Sequence, residues 1–203
     1  MHETVDKLTS RTEAGGFSGL RLTADEYFTL PDDGARYELI DGIVTMSPSA
    51  SFQHQLICGE IYDQIKTIIR QIPSIGVVVF ESDVLLEGVG KKGDLVYRPD
   101  LAFLSGDRSK QIKTRIRIAP DLIVEIISPE SRSLDTVTKF HDYARAGVGE
   151  YWIIDPLNNE MHFYSLKDGK YEAKSPDGDK YVCPTITGLA LDLPPIRKLF
   201  SRE

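Results

Sequence analysis

Two carboxylates stand where an apolar stretch should have none. Asp100 opens the run Leu101-Ala102-Phe103-Leu104, and Glu125 interrupts the β-branched run from Leu122 to Ile127. Runs this apolar suggest strands buried on both faces. Asp and Glu are rarely buried unless something compensates their charge. Residues 97–104 and 122–127, paired antiparallel with the loop between them centred so that Leu104 faces Asp121, set Asp100 opposite Glu125 on one face. Cross-strand neighbours lie roughly 4.5–5.5 Å apart at Cβ, where like charges repel. Either one carboxyl keeps its proton, or a cation sits between the two. An all-oxygen ligand set suits a hard ion such as Mg²⁺ (or Mn²⁺), which keeps waters for a substrate to displace.

A basic group follows in the chain. Ser133 can cap a helix whose first turn holds Asp135, and Gly147 can end it. Asp135, Lys139 and Tyr143 recur every four residues and share one face of that helix. Because the helix leaves directly from the Glu125 strand, Lys139 can point back over the carboxylates. Upstream, Glu38 shares a strand face with Ile40 and offers a third acid or an orienting base. The competing reading of Glu38 is a strand-edge ion pair. His54 precedes Ile57 by three and so lies on the inward face of a long helix, in its first turn. It is either a satisfied core histidine or a phosphate contact near the positive helix end.

These residues, taken together and in order, resemble the PD-(D/E)xK nuclease superfamily, and more closely its Uma2-type (DUF820) branch. The matching pieces begin with Arg36-Tyr37-Glu38-Leu39-Ile40-Asp41-Gly42, Ser47-Pro48 with His54, and Arg98-Pro99-Asp100. They continue with Glu125-Ile126-Ile127-Ser128-Pro129, with Asp135, Lys139 and Tyr143, and with Gly147-Val148-Gly149-Glu150-Tyr151-Trp152. The likeness spans residues 22–172. It implies a restriction-endonuclease-like fold and Mg²⁺-dependent hydrolysis of phosphodiesters, of DNA before RNA. Asp100 and Glu125 are then the metal ligands, Lys139 the displaced motif lysine, and Glu38 and His54 supporting residues. One departure stands out: Ile127 occupies the position two after Glu125, where the simple motif holds lysine. An interaction module that keeps the fold without turnover is the rival reading, and a metal hydrolase of another phosphorylated substrate is the third.

Composition sets the frame for these elements. The 203 residues suffice for one well-cored domain, expected over residues 21–203 behind a flexible tail of residues 1–20. A formal net charge of −7 disfavours a general polyanion binder, so local sign matters more. The connector from Asp107 to Arg117 carries Arg108, Lys110, Lys113, Arg115 and Arg117 against one Asp. It is either a solvated loop or a phosphate-tracking edge near the metal site. Cys58 and Cys183 form no metal-binding spacing, which argues against a structural zinc or a disulfide framework. Without an apolar leader or a membrane-length run the chain reads as cytoplasmic. A homodimer suits the cutting of two strands by analogy only.

The positioning elements read as follows. Thr23-Ala24-Asp25-Glu26 fits a capping box before a short helix. Asp41-Gly42 joins the strands 37–40 and 43–46 as a hairpin. Residues 49–72 form a helix with the stripe Ile57, Ile61, Ile65, Ile68 and Ile72. Residues 77–81 and 84–86 are strands, with Glu81 in a structural role, and residues 88–94 a Gly/Lys loop. Residues 150–155 form a strand with Trp152 as core filler, followed by a C-terminal β-meander. The expectation is one mixed α/β domain, a central sheet flanked by helices.

Overall fold

The computed structural model describes residues 16–201. The expected tail falls largely outside the described residues, but its last part does not behave as a tail. Phe17 is buried, and the Gly19 N–H donates to the Val44 carbonyl at 2.7 Å. The chain is therefore already packed at Phe17, four residues before the expected start at residue 21.

Helix α1 (Ala24–Tyr27) starts at the expected capping box, with Thr23 and Glu26 bonded reciprocally. Strands β1 (Tyr37–Ile40) and β2 (Ile43–Met46) pair in register about Asp41-Gly42, both at positive φ, as a two-residue turn of this kind requires. Helix α2 (Phe52–Gln71) is capped by the Ser51 side chain. Its buried stripe is Ile57, Cys58, Ile61, Ile65 and Ile69, while Ile68 packs at the margin and Ile72 lies beyond the last turn, exposed. The apolar seam therefore runs through Ile69 rather than Ile72.

Strand β3 (Gly76–Phe80) follows, then β4 (Val84–Gly90) and β5 (Gly93–Tyr97). The expected Gly/Lys loop is thus mostly strand, closed into a hairpin at Lys91-Lys92. Strand β6 (Leu101–Ser105) begins only after Asp100, so Tyr97 ends one strand and Leu101 starts another. Pro99 explains the break, since it brings no N–H to a ladder. Helix α3 (Gly106–Ser109) opens the connector to β7 (Leu122–Ile126). A π-helical turn (Leu134–Lys139) runs into α4 (Phe140–Ala146), which ends at Gly147 in the left-handed conformation. Strands β8 (Glu150–Asp155), β9 (Glu160–Lys167) and β10 (Lys170–Lys174) come next. Strands β11 (Lys180–Val182) and β12 (Ala190–Asp192) and helix α5 (Leu193–Arg197) close the described chain.

Six strands form the central sheet in the order β10-β9-β8-β7-β6-β3. Only β7 and β8 are parallel, and the π-turn with α4 is the crossover between them. The C-terminal meander is part of this sheet, continuing it through β9 and β10. A second sheet, β2-β1-β5-β4, stands beside it, with β11-β12 as a two-stranded cap. One face of the central sheet buries Leu122, Val124, Ile126, Trp152 and Phe163 against α2 and the C-terminal segment. The other buries Ile123, Ile127, Tyr151 and Ile153 against Tyr143 of α4 and the hairpin β4-β5. Trp152 is fully buried. All of β7 is covered on both faces, which is why its sequence does not alternate.

Candidate active site

Strands β6 and β7 pair antiparallel with Leu101 opposite Val124 and Phe103 opposite Leu122. One step further along the same register, Asp100 stands opposite Glu125. The contact is made by polar atoms rather than by a continued ladder. Asp100 accepts the Ile126 N–H on Oδ2 at 2.7 Å, and its own N–H points to Glu125 Oε2 at 3.4 Å. Both residues line one cavity of about 530 Å³, together with Arg36, Glu38, His54, Arg98, Asp135 and Lys139.

Each wall of the cavity has a local cause. The β1-β2 hairpin turns Tyr37 and Leu39 into a separate apolar cluster, which sends Glu38 the opposite way, to the cavity. Glu38 accepts the Arg98 N–H at 2.9 Å. Helix α2 brings His54 in by its first turn, with Nε2 3.1 Å from Asp100 Oδ2. Its Nδ1 is buried and meets no hydrogen-bond partner among the described residues. The helix carrying Lys139 starts earlier than expected. Ser133 makes no cap, and the Ser128 hydroxyl instead accepts the Ser131 N–H, with Pro129 between them. The widened π-turn places Asp135 and Lys139 inward together. Such turns recur at functional sites.

Lys139 is the hub. Its ammonium lies 2.9 Å from Glu125 Oε1, 3.0 Å from Glu38 Oε1 and 3.3 Å from Asp135 Oδ1. Only 4% of the residue is exposed. Burial works to lower its pKa, but the ring of Glu125, Glu38 and Asp135 overcomes that and holds the lysine charged. Burial pushes Glu125 well above the usual carboxylate range despite the pull of Lys139, with Asp135 and Asp100 adding to the rise. Asp135 is raised for the same first reason. Arg36 and Arg98 reach the cavity but are paired with Glu81 and Asp83. Four carboxylates (Glu38, Asp100, Glu125, Asp135) therefore face one free ammonium, leaving an excess of negative charge.

The two central carboxylates share a pattern. Glu125 Oε1 receives both Lys139 Nζ and the Tyr143 hydroxyl at 3.1 Å, while Oε2 meets only the distant Asp100 N–H. Asp100 Oδ2 accepts the Ile126 N–H and has His54 Nε2 3.1 Å away. One oxygen of each acid is held and the other is left toward the cavity. Two such carboxylates side by side are a donor set that suits a hard divalent cation. Among the described residues no group of three or more His, Cys, Asp or Glu side chains is clustered to hold an ion.

The structure brings Asp100, Glu125, Lys139, Glu38 and His54 to this one cavity. It does not bring the basic connector there. The segment leaves β6 at Ser105, five residues from Asp100, and enters β7 at Leu122, three residues from Glu125. Arg108 bonds the Ala119 carbonyl and Asp121, Arg115 covers the Phe28 ring, and Arg117 lies near Asp25 and Glu87. Lys110 pairs with Asp107, and Lys113 is exposed. None of its five basic residues lines the cavity, although the connector returns along β4, where the Ile116 carbonyl accepts the Leu85 N–H. Glu81 pairs with Arg36, in the expected structural role. The contributions of Tyr143 and Asp135 went unassigned in the sequence, although their spacing from Lys139 already put them on its face.

A family model described as Uma2, putative restriction endonuclease, matches residues 24–194. Among solved structures, the chain resembles a putative nuclease belonging to DUF820 from Anabaena variabilis ATCC 29413, with a TM-score of 0.72 at 22% identity. The match covers 88% of this chain and 99% of that one. At that identity the likeness speaks to the fold, which is the mixed α/β, restriction-endonuclease-like one. No curated protein gives a significant match. Among the described residues no helix is long and apolar enough to cross a membrane.

Proposed function

This chain belongs to the Uma2 family of restriction-endonuclease-like proteins, and from that premise we propose that it is a metal-dependent nuclease cleaving phosphodiester bonds at the Asp100–Glu125 cavity. The single observation that supports the reading is the register of β6 against β7, which sets the half-buried Asp100 beside the buried Glu125, with the stronger contacts of each falling on one oxygen. Mg²⁺ or Mn²⁺ would be held by Asp100, Glu125 and the Ile126 carbonyl. When bound, such an ion supplies Lewis acidity at a phosphoryl oxygen and lowers the pKa of a water. The rest is the work of the protein. His54 and the Ile126 N–H orient Asp100, and Lys139 offsets the charge of the acids around it. Glu38 fixes Lys139 to the Arg98 main chain. The family's description favours DNA over RNA as substrate. A homodimer would supply one such cavity to each strand of a duplex.

The test is cleavage of single- and double-stranded DNA and RNA with Mg²⁺, Mn²⁺ or chelator, beside Asp100→Asn. Loss of one metal carboxylate is expected to lower the rate on the order of 10³-fold. An Asp100→Asn protein that cuts as fast as the parent would refute the reading. One observation favours the inert module instead: the Lys139 ammonium is buried and ion-paired with three carboxylates of the protein itself. Calorimetric titration with Mn²⁺ separates the two, because an inert module need bind no cation.

A further inference from the structure

The carboxylate of Glu125 turns about a soft, two-fold terminal torsion, so by itself it would present either oxygen to the cavity. In this protein it is not left free. Two donors from one helical face, Lys139 and Tyr143, converge on the same oxygen, Oε1, at 2.9 and 3.1 Å. Tyr143 is fully buried, its ring edge-to-face with Tyr97 at 5.5 Å and with Tyr151 at 5.1 Å. A phenylalanine would pack in that aromatic layer equally well. A hydroxyl buried among rings is costly without a partner, and the partner of this one is Glu125. Among the described residues Lys139 makes its one hydrogen bond to Glu125, with Glu38 and Asp135 beside it as ion-pair neighbours at 3.0 and 3.3 Å. It is 4% exposed.

We propose that Tyr143 and Lys139 act as a pair of positioning residues that pin Oε1 of Glu125, so that Oε2 is presented beside Asp100 to receive a divalent cation. The inference rests on the metal-dependent reading above, and it assigns Lys139 to the carboxylate rather than to the substrate. The same device appears across the cavity, where His54 and the Ile126 N–H fix one oxygen of Asp100. Partners that orient a metal ligand typically change affinity or activity 10–100-fold when removed.

Tyr143→Phe deletes the hydroxyl alone. Mn²⁺ binding by calorimetry, with circular dichroism as the check on folding, is expected to weaken 10–100-fold while the spectrum is unchanged. Cleavage by the variant is expected to recover toward the parent kcat as Mn²⁺ is raised to saturation. A group touching the transition state would leave kcat low at any metal concentration. Should Tyr143→Phe lose its fold, Lys139→Arg reads the same property, keeping the charge but altering the donor geometry at Oε1. A variant whose Mn²⁺ affinity stays within about twofold of the parent, or whose kcat deficit persists at saturation, overturns the inference and leaves the nuclease reading intact. A parent that binds no Mn²⁺ overturns the metal-dependent reading, and this inference falls with it.

Discussion

Replacing Lys139 by methionine removes the ammonium on which Glu38, Glu125 and Asp135 converge at 2.9–3.3 Å. Methionine keeps a flexible stem of similar reach, so the loss is chiefly one of charge. Each of the three acids has at most 5% of its side chain exposed, so water cannot replace the lysine. Removing one partner of a buried pair costs about 3–5 kcal/mol, because the other charge is left uncompensated. Here one cation serves three acids, which argues for the upper part of that range. Domain stabilities of about 5–15 kcal/mol make this a large fraction of the whole. A divalent ion should return part of it, since a ligand at a hundred times its Kd stabilises the folded state by about 2.7 kcal/mol. The assay is urea unfolding of the parent, Lys139→Met, and the double variant Lys139→Met/Glu38→Gln, in chelator and in Mn²⁺. The double variant carries one acid fewer and is expected to be more stable than the single. A Lys139→Met protein within about 1 kcal/mol of the parent in chelator would refute the charge argument. A double variant no better than the single would do the same.

Glu150 is fully buried and, among the described residues, has no cation against it; it accepts from Trp152 Nε1, Ser165, Tyr181 and Thr185 at 2.7–3.1 Å. Glu150→Gln should cost about 1–2 kcal/mol, because the amide can face the two hydroxyls that are able to turn and accept. Glu150→Leu orphans four donors and should cost at least about 4 kcal/mol in urea melts; a leucine variant as stable as the parent would show that these bonds do not repay the buried charge. Burial tends to raise the Asp155 carboxyl, but the bidentate bonds from Arg132 and those from Asn158 hold it below the ordinary value. A depressed folded pKa gives stability that is present above the unfolded value of about 3.9 and lost as pH falls through the folded one. Arg132→Ala is therefore expected to flatten the acid limb of stability below about pH 4, as read by denaturant midpoints from pH 7 to pH 3.

The parts of this fold that were legible in the sequence are those set by a local rule. The Asp41-Gly42 turn, the Thr23 capping box and the Gly147 stop each follow from one or two residues. The missed parts depend on neighbours. Gly88, Gly90 and Gly93 break the strand signal of β4-β5, yet the hairpin forms because Val84, Leu86 and Leu95 bury against α4 and the central sheet. Ser133 has the chemistry of a cap, but Ser128-Pro129 offers the chain an earlier start. The basic connector looked like a phosphate edge because charge can be counted in a sequence and position cannot. Arg108 and Arg115 are spent on carbonyls, a carboxylate and an aromatic ring within the protein itself.

Why the register of Asp100 and Glu125 could be read at all has a physical answer. A one-residue slip of β6 on β7 would turn Leu101 and Phe103 from one core to the other and Ala102 and Leu104 the opposite way, so both faces hold the alignment. The Pro99 break does not loosen it, because the Asp100 carboxylate takes the Ile126 N–H that a continuing strand would have claimed. The acid thereby serves the sheet and the cavity at once: one oxygen extends the pairing, and the other is left unheld. Ile127 completes the logic. It is buried in the cluster with Tyr143 and Tyr151, so a lysine there would need its own counter-ion inside an apolar layer. The ammonium of Lys139, one helix further along the chain, lies instead among Glu38, Glu125 and Asp135, which compensate its charge.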